Sequence, residues 1–331
     1  MEGKRDARLC GDMRIEISAN PNVLCRFARE MIEHVRINSV RAWVLAARPK
    51  TLAGAAAPVI MGGACAWMWL CGNAEVNMFN WWAFALCILF AWIMQVDANF
   101  VNDYFDFKKG GDTEQRLGPK RACAQGWITP RAMKTGIIVT TALACAVGLP
   151  LIWIGGLWMI AVGAACVVFC FLYTTKFSRL GLGDLLVLVF FGIVPVGFTF
   201  FLQTGTWNLQ ATLAGLSCGL AVDCLLMVNN YRDRAEDAQQ GKRTIVVRLG
   251  GSAAIVLYYL LGLCATMFAA AVIVLSKPGW CAAPLLLYAA LHLATSRRIS
   301  ATDGAALNPF LGKTSRNFFF LSMLFSVGCL L

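Results

Sequence analysis

The residues best suited to chemistry in this sequence form a pair of short polar motifs. The stretch Val101-Asn102-Asp103-Tyr104-Phe105-Asp106 and the later stretch Val228-Asn229-Asn230-Tyr231-Arg232-Asp233 share Val, Asn, Tyr and a final Asp at matching positions. Each closes a strongly apolar segment, and further acids follow at Asp112, Glu236 and Asp237. Carboxylate and amide oxygens gathered in this way could bind a hard cation.

The spacing of these polar residues places them on one face of a helix. Asn99, Asn102, Asp103 and Asp106 recur with helical periodicity if the helix continues past the hydrocarbon edge, and Asp233 and Asp237 do the same in the second copy. Like charges this close repel, and carboxylates beside lipid are costly unless paired. A divalent cation resolves both problems, and an oxygen-only ligand set favours Mg²⁺ over zinc. A solvated, salt-bridged surface is the alternative for one such cluster, but it explains two copies less well.

The composition indicates that these motifs are positioned by membrane-spanning helices. With 59% hydrophobic and 14% charged residues, the chain is not an ordinary soluble domain. We predict an all-α polytopic membrane protein with about nine transmembrane helices around a central cavity. The predicted spans are 52–71, 81–101, 133–154, 157–175, 184–203, 209–228, 253–275, 280–296 and 317–331. Because the last two are short, eight spans with a re-entrant end is the alternative.

The two motifs follow the second and sixth predicted spans. An even number of crossings separates these spans, so both motifs are expected at the same membrane face. This arrangement is typical of a four-helix unit repeated in parallel around a cavity.

The Lys and Arg residues predict the orientation. They lie almost entirely before the first span and in alternate connections, whereas the opposite loops contain only Lys277. By the positive-inside rule, the N-terminus and both acidic motifs are cytoplasmic, in a protein integral to the cytoplasmic (inner) membrane. Topology and anionic membrane lipid account for the net charge of +11, so no nucleic acid partner is expected.

The N-terminal region differs from the rest. Residues 1–40 form a charged extension without the apolar core of a signal peptide, ahead of the transmembrane domain, residues 41–331. An amphipathic surface helix around Cys25 to Val35, a disordered tail and a true start at Met31 are the open interpretations, and that the extension is dispensable is one expectation. The 14 cysteines are scattered, mostly inside spans and without a CxxC pair, and are read as packing residues. His34 and His292 lie far from the acidic motifs, so a histidine metal site is not expected.

A paired metal site at a membrane surface suggests a phosphorylated lipid as its ligand. The motif carboxylates alone would repel a diphosphate, but two Mg²⁺ ions would bridge acid and phosphate oxygens. Basic residues predicted on the same side could neutralise the remaining charge: Lys176, Arg179, Arg232, Lys242 and Arg243. A diphosphate at a membrane points to a polyprenyl diphosphate, whose tail requires an apolar groove among the helices.

These motifs resemble those of the UbiA superfamily of intramembrane prenyltransferases, most closely its branch acting on 1,4-dihydroxy-2-naphthoate. The resemblance covers residues 41 to about 331. It rests on Ala47-Arg48-Pro49-Lys50-Thr51, Asn102 to Asp112, Arg116-Leu117-Gly118-Pro119, Tyr173-Thr174 with Lys176, Leu182-Gly183-Asp184, Asn229 to Asp237, Gly241-Lys242-Arg243-Thr244 and Leu307-Asn308-Pro309.

The resemblance implies roles for individual residues. Mg²⁺ would be held by Asn102, Asp103, Asp106, Asp112, Asn230, Asp233 and Asp237. The catalytic residues would be Asp103, Asp106, Asp233, Asp237 and Tyr173. Substrates would be bound by Lys176, Arg179, Arg232, Lys242, Arg243, Arg48 and Lys50, of which Arg48 and Lys50 could recognise the acceptor carboxylate.

The implied reaction joins two substrates. The allylic C–O bond of polyprenyl diphosphate ionises, and the ring of 1,4-dihydroxy-2-naphthoate attacks the allylic cation with loss of CO₂, which gives demethylmenaquinone. Tyr104, Tyr173 and Tyr231 are candidates to stabilise the cation through their ring faces.

Two alternatives stay open at this point. One is a prenyltransferase with another aromatic acceptor, such as 4-hydroxybenzoate. The other is a secondary transporter, which would also have a repeat and intramembrane acids such as Asp97 and Asp223. The transporter is the weaker alternative, because the main acidic clusters lie at span ends beside Lys and Arg instead of at the membrane centre. For Asp97 and Asp223 we favour buried polar pairing over a catalytic role.

Overall fold

The computed structural model describes residues 35–73, 78–110, 117–118, 120–177 and 180–331, and within them the regular structure is entirely helical. The first helices are α1 (Val40–Ala47), α2 (Leu52–Gly72), α3 (Trp81–Lys108), α4 (Pro130–Gly155), α5 (Met159–Leu172), α6 (Gly183–Val187) and α7 (Val194–Thr204). They are followed by α8 (Leu209–Gln239), α9 (Ile245–Leu249), α10 (Gly251–Val274), α11 (Leu285–Ile299) and α12 (Asn308–Leu330). Short 3₁₀ helices lie at Pro49–Thr51, Gly279–Ala282 and Gly304–Leu307, and π-helical segments at Tyr173–Phe177 and Leu188–Ile193.

The helices confirm an integral membrane protein of the predicted all-α class. In the described residues, 8 helical stretches are long and apolar enough to cross a membrane: Val40–Gly72, Trp81–Lys108, Pro130–Gly155, Met159–Phe177, Gly183–Thr204, Leu209–Gln239, Gly251–Val274 and Gly279–Ile299. Helix α12 has 23 residues but carries Lys313 and Arg316. Helix α12 is not among the eight stretches, and it begins at Asn308 instead of the predicted residue 317. The predicted number of nine transmembrane helices is therefore approximate.

Helices α3 and α8 carry the two polar motifs. They contain 28 and 31 residues, which corresponds to about 42 Å and about 46 Å. Both exceed the hydrocarbon core of about 30 Å, so their last turns, with the motifs, extend beyond it. Each starts with an asparagine cap, in which Asn80 accepts from the Ala83 amide and Asn208 from the Ala211 amide. The duplicated helices therefore resemble each other at both ends.

The core of the bundle lies around α2 and α8. Met61 of α2, Phe200 of α7, Ala221 of α8, Ala265 of α10 and Leu321 of α12 belong to one buried apolar cluster. Helix α5 contributes little to the interior, since only Met159 is buried among its residues. The motif helix α8 is thus held from several sides.

Small residues bring the π-helical segment Leu188–Ile193 unusually close to α8. A Cβ atom at Gly192 would lie 2.4 Å from the Gly215 carbonyl oxygen and 2.6 Å from Gly219 Cα. Such glycine contacts let membrane helices approach backbone to backbone. This contact fixes one wall of the central cavity against α8.

Asp97 lies in α3, opposite α4. Its carboxylate accepts hydrogen bonds from the Thr140 hydroxyl and, at 3.1 Å, from the Thr141 hydroxyl. Asp97 is fully buried. For this residue the predicted buried polar pairing is confirmed, and the pairing links α3 to α4.

We predict that Gly192→Ala lowers the thermal unfolding midpoint of the detergent-solubilised protein by several degrees. The added methyl group must separate the Leu188–Ile193 segment from α8, and overpacking of this kind costs about 1–3 kcal/mol. Gly312→Ala in α12 is the matched control, because a Cβ there meets open space and alanine favours a helix. An unchanged midpoint in Gly192→Ala would contradict the close contact.

Candidate active site

A cavity of about 410 Å³ runs through the centre of the bundle. Its α3 wall extends from Asn102 to Cys87, which is about 22 Å along the helix. Polar groups line it at Asn102, Asn229, Tyr173 and Thr174, whereas most of the remaining lining is apolar. The cavity therefore joins the ends of the two motif helices to a deep hydrophobic interior, as a ligand with a polar head and an apolar tail requires.

The first motif lies at the end of α3. Asn102 accepts a hydrogen bond from the Thr174 hydroxyl, which fixes its side chain at the cavity wall. Asp106 forms an ion pair with Arg121, whose side chain is nearly buried. The first motif is therefore in direct contact with the loop that precedes α4.

Asp103 has different partners from its neighbours. It is 1% exposed, and its two oxygens accept from the backbone amides of Ala122 and Cys123 at 2.7 and 2.8 Å. Ala122 and Cys123 are themselves buried in an apolar cluster around α1, α3 and α4. Asp103 thus anchors the loop that places Arg121 beside Asp106.

The second motif lies at the end of α8. Arg232 donates to both oxygens of Asp233 at 2.6 Å and to the Asn308 amide oxygen at 2.9 Å. The Lys242 ammonium group contacts Asp237 at 2.6 Å. The Asn308 amide nitrogen donates to the Leu117 carbonyl oxygen at 2.9 Å. Asn308 therefore connects the second motif to the segment that follows the first.

Arg234 supports the end of α8 from outside the cavity. Its guanidinium group lies 4.5 Å from the centre of the Tyr231 ring and donates to both oxygens of Asp303 at 2.7 and 2.6 Å. These hydrogen bonds lower the pKa of the Asp303 carboxyl group. Because Asp303 is exposed, we assign this pair little energetic weight.

The remaining predicted substrate-binding residues lie at varied depths. Lys176, in the π-helical segment after α5, is exposed, as are Arg243 and Lys50. Arg48 is half-buried in the left-handed turn between α1 and the first 3₁₀ helix, with a φ of 52°. Asp112 and Arg179 lie outside the described residues.

The structure also identifies residues to which the sequence interpretation gave no role in the site. Asn229 lines the same cavity as Asn102, whereas Asn230, the predicted ligand, is absent from that lining. The sequence does contain a pattern that points to Asn229, because Asn229 precedes Asp233 at the same spacing as Asn102 precedes Asp106. Thr174 and Arg121 contact the first motif but occur in the sequence without a spacing that ties them to it.

The donor set fits a hard divalent cation. Amide and carboxylate oxygens at the ends of α3 and α8 are the ligands that Mg²⁺ prefers. Within the described residues, no group of three or more His, Cys, Asp or Glu side chains is assembled into one metal centre. Mg²⁺ commonly uses one or two carboxylates and completes its shell with substrate phosphates and water, so the arrangement suits a metal that binds together with a diphosphate.

Known proteins are similar to this chain over most of its length. The profile of the UbiA prenyltransferase family matches residues 55–324. The 1,4-dihydroxy-2-naphthoate octaprenyltransferase of Haemophilus influenzae is 34% identical over 88% of this chain and 96% of its own length. The proteins of the same name from Escherichia coli and Mycobacterium tuberculosis are 33% and 37% identical, over 89% and 82% of this chain and 97% and 91% of theirs.

Solved structures share the fold at lower identity. A UbiA homolog from Aeropyrum pernix has a TM-score of 0.66 at 14% identity, with 86% of this chain and 98% of that chain covered. A UbiA homolog from Archaeoglobus fulgidus bound to GPP and Mg²⁺ has a TM-score of 0.62 at 16% identity, with 87% and 98% covered. Since the family profile spans most of the sequence and the sequence relatives are matched almost end to end, this chain belongs to the UbiA prenyltransferase family.

Proposed function

We propose that this protein transfers a polyprenyl group from polyprenyl diphosphate to 1,4-dihydroxy-2-naphthoate. The products are CO₂, diphosphate and demethylmenaquinone in its reduced hydroquinone form, because no oxidant takes part in the transfer. The observation that carries this proposal is the identity of 33–37% to enzymes named for this acceptor, over most of both chains. The cavity supports it, because a polar mouth and a long apolar interior suit a diphosphate with a polyprenyl tail.

A divalent cation, which we propose to be Mg²⁺, would be held between the two motifs. Asn102, Asp106 and Asp112 would hold it on one side, and Asp233 and Asp237 with Asn229 or Asn230 on the other. When bound, the metal supplies positive charge that stabilises the leaving diphosphate. The predicted ligand role of Asp103 stays a prediction; its two backbone hydrogen bonds support an additional role in positioning the loop.

Basic residues beside the motifs would bind the phosphate oxygens. Arg232 and Lys242 lie 2.6 Å from Asp233 and Asp237, so their charges already lie where a diphosphate would meet the acids. An Arg side chain can form paired hydrogen bonds to phosphate, and Lys acts as a compact charge. Lys176, Arg179 and Arg243 are proposed to extend this basic rim.

Tyr173 is proposed to stabilise the allylic cation. Of the three candidate tyrosines it is the one that lines the cavity, near Asn102 and Thr174. The Tyr104 ring packs against Phe105, and the Tyr231 ring lies under Arg234. The apolar lining would exclude water from the cation, and loss of the ring carboxylate as CO₂ restores aromaticity without a strong protein base.

The orientation and the domain boundary are also proposals. The excess of Lys and Arg in alternate connections supports a cytoplasmic location for the N-terminus and both motifs. We propose residues 41–331 as the transferase domain, together with the segment just before it. Asn38 donates its backbone amide to the Trp127 carbonyl oxygen at 2.8 Å and accepts from the Thr129 amide at 3.0 Å, and these bonds tie residues near 38 to the domain.

The proposed function is tested with purified protein in lipid vesicles. We expect prenylated product and CO₂ from 1,4-dihydroxy-2-naphthoate and a long-chain polyprenyl diphosphate only when Mg²⁺ is present. Product from 4-hydroxybenzoate alone would keep the reaction class and overturn the acceptor. Absence of product from both acceptors would overturn the proposed activity and favour transport instead.

We predict that Asp233→Asn lowers kcat/KM at fixed Mg²⁺ by at least about a hundredfold, because a charged oxygen that binds metal at the leaving group is lost. Glu236→Gln is the matched control on the same helix. The Glu236 carboxylate accepts from the Gln240 side chain at 2.9 Å, a partner outside both motifs, so this variant should retain more activity than Asp233→Asn. Equal losses in both variants would contradict the assignment.

For Asp103→Asn we predict a loss of stability. Ala122 and Cys123 donate to different oxygens of Asp103, and asparagine replaces one of these oxygens by an NH₂ group that cannot accept. A hydrogen bond to a charged group contributes about 1.5–3 kcal/mol. The unfolding midpoint should therefore fall by several degrees, whereas the Mg²⁺ concentration for half-maximal activity should change less than in Asp233→Asn. An equally large increase in the Mg²⁺ requirement would identify Asp103 mainly as a metal ligand.

A further inference from the structure

Asn308, the first residue of α12, uses both ends of its side-chain amide to contact other elements. Its Oδ1 atom accepts from the Arg232 guanidinium group of α8, and its Nδ2 atom donates to the Leu117 carbonyl oxygen, both at 2.9 Å. One partner needs an acceptor and the other needs a donor. An amide satisfies both, whereas a carboxylate in the same place could accept but not donate. The residue type is therefore matched to these two contacts.

Arg232 is held by two partners of different kinds. Its Nε and Nη2 atoms donate to the two oxygens of Asp233 at 2.6 Å, and its Nη1 atom donates to Asn308. The Arg232 residue is only 4% exposed. A guanidinium group is planar, with its donors in fixed directions. The bond at Nη1 and the burial of the side chain together set the direction of the Nε and Nη2 donors.

The two partners of Arg232 would behave differently when the site is loaded. Asp233 is a proposed metal ligand, so its oxygens would then bind the cation in place of Arg232. The Nε and Nη2 donors would become available for the paired hydrogen bonds that arginine forms with phosphate. Asn308 is neutral and has no proposed role as a metal ligand, so its bond to Nη1 can persist in both states.

Asn308 is itself held in place by the end of α8. Asp303, five residues earlier, accepts from Arg234 of α8 through both oxygens, at 2.7 and 2.6 Å. The 3₁₀ helix after Asp303 ends at Leu307, which is fully buried directly before Asn308. The start of α12 is thus fixed on both the polar and the apolar side, so the Asn308 amide is already in position to accept from Nη1.

We propose that Asn308 is a positioning residue for Arg232, which it holds at the site while Asp233 binds the metal. Arg232 then meets the diphosphate in a fixed orientation. This inference rests on the proposed function and adds to it a residue that is neither a metal ligand nor a phosphate ligand. Since Asn308 is exposed, its loss should affect the orientation of Arg232 more than the packing of the bundle.

The test is the affinity for a polyprenyl thiolodiphosphate, which resists loss of its diphosphate, measured with Mg²⁺ on the protein in lipid vesicles. Asn308→Ala should weaken binding about five- to tenfold, because a hydrogen bond to a charged group is lost. The KM for polyprenyl diphosphate should rise by a similar factor, whereas the KM for the aromatic acceptor should change by less than about twofold.

Asn317→Ala is the matched control, with the same substitution in the same helix. Asn317 is buried and donates to the Thr295 hydroxyl at 2.9 Å, away from Arg232. This variant should lower the unfolding midpoint more than Asn308→Ala does, because a buried acceptor loses its donor. Its affinity for the analogue should nevertheless stay within about twofold of the wild-type value.

A double-mutant cycle separates positioning from a general structural role. In an Arg232→Met background, Asn308→Ala should change the affinity by less than about twofold, because the group that Asn308 positions is gone. An equal loss in both backgrounds, or a change below about twofold in Asn308→Ala alone, would overturn the inference. If the wild type does not bind the analogue at all, the proposed function itself fails, and the inference fails with it.

Discussion

The structure depends on neutralising carboxylates at the edge of an apolar bundle. An ionised acid beside hydrocarbon is stable only with cations or hydrogen-bond donors, and the described motif acids have them: Arg121 at Asp106, Arg232 at Asp233 and Lys242 at Asp237. These pairs lie at the ends of α3 and α8, the two helices that extend beyond the hydrocarbon. This set of acidic and basic side chains also suits a diphosphate with its metal ion. The metal ion would bind the acids, and the diphosphate would bind Arg232 and Lys242.

The surrounding elements hold the two motifs in place beside the cavity. Asp103 holds the loop that carries Arg121, and Asn308 joins Arg232 to the Leu117 carbonyl oxygen. On the opposite side, Gly192 lets the π-helical segment Leu188–Ile193 lie directly on α8. π-Helical turns inside α-helices frequently occur at functional sites, and both of those described here border the cavity.

Much of this arrangement could be predicted from sequence because hydrophobic length and repeated motifs are local signals. The predicted spans agree with the helices except for α12, where Lys313 and Arg316 concealed a helix that begins at Asn308. The motif register also pointed to Asn229, although Asn230 was chosen. The hydrogen bonds of Asp97 with Thr140 and of Asn102 with Thr174 could not be predicted, because helix packing brings together residues that are distant in sequence. The polar pairing predicted for Asp223 is not found at its Oδ1 atom, which within the described residues is buried without a hydrogen-bond partner, and this state depends on neighbours that are distant in sequence.

The central claim is that the two motifs bind the diphosphate through a divalent cation. The most direct test is the affinity of the protein for a polyprenyl thiolodiphosphate, an analogue that ionises poorly, measured with Mg²⁺ and with a chelator. The account predicts tight binding with Mg²⁺ and at least about tenfold weaker binding with the chelator, a dependence that Asp106→Asn and Asp233→Asn each reduce. Equal affinity under both conditions would mean that Arg232, Lys242 and the other basic residues bind the diphosphate alone, and it would contradict the account.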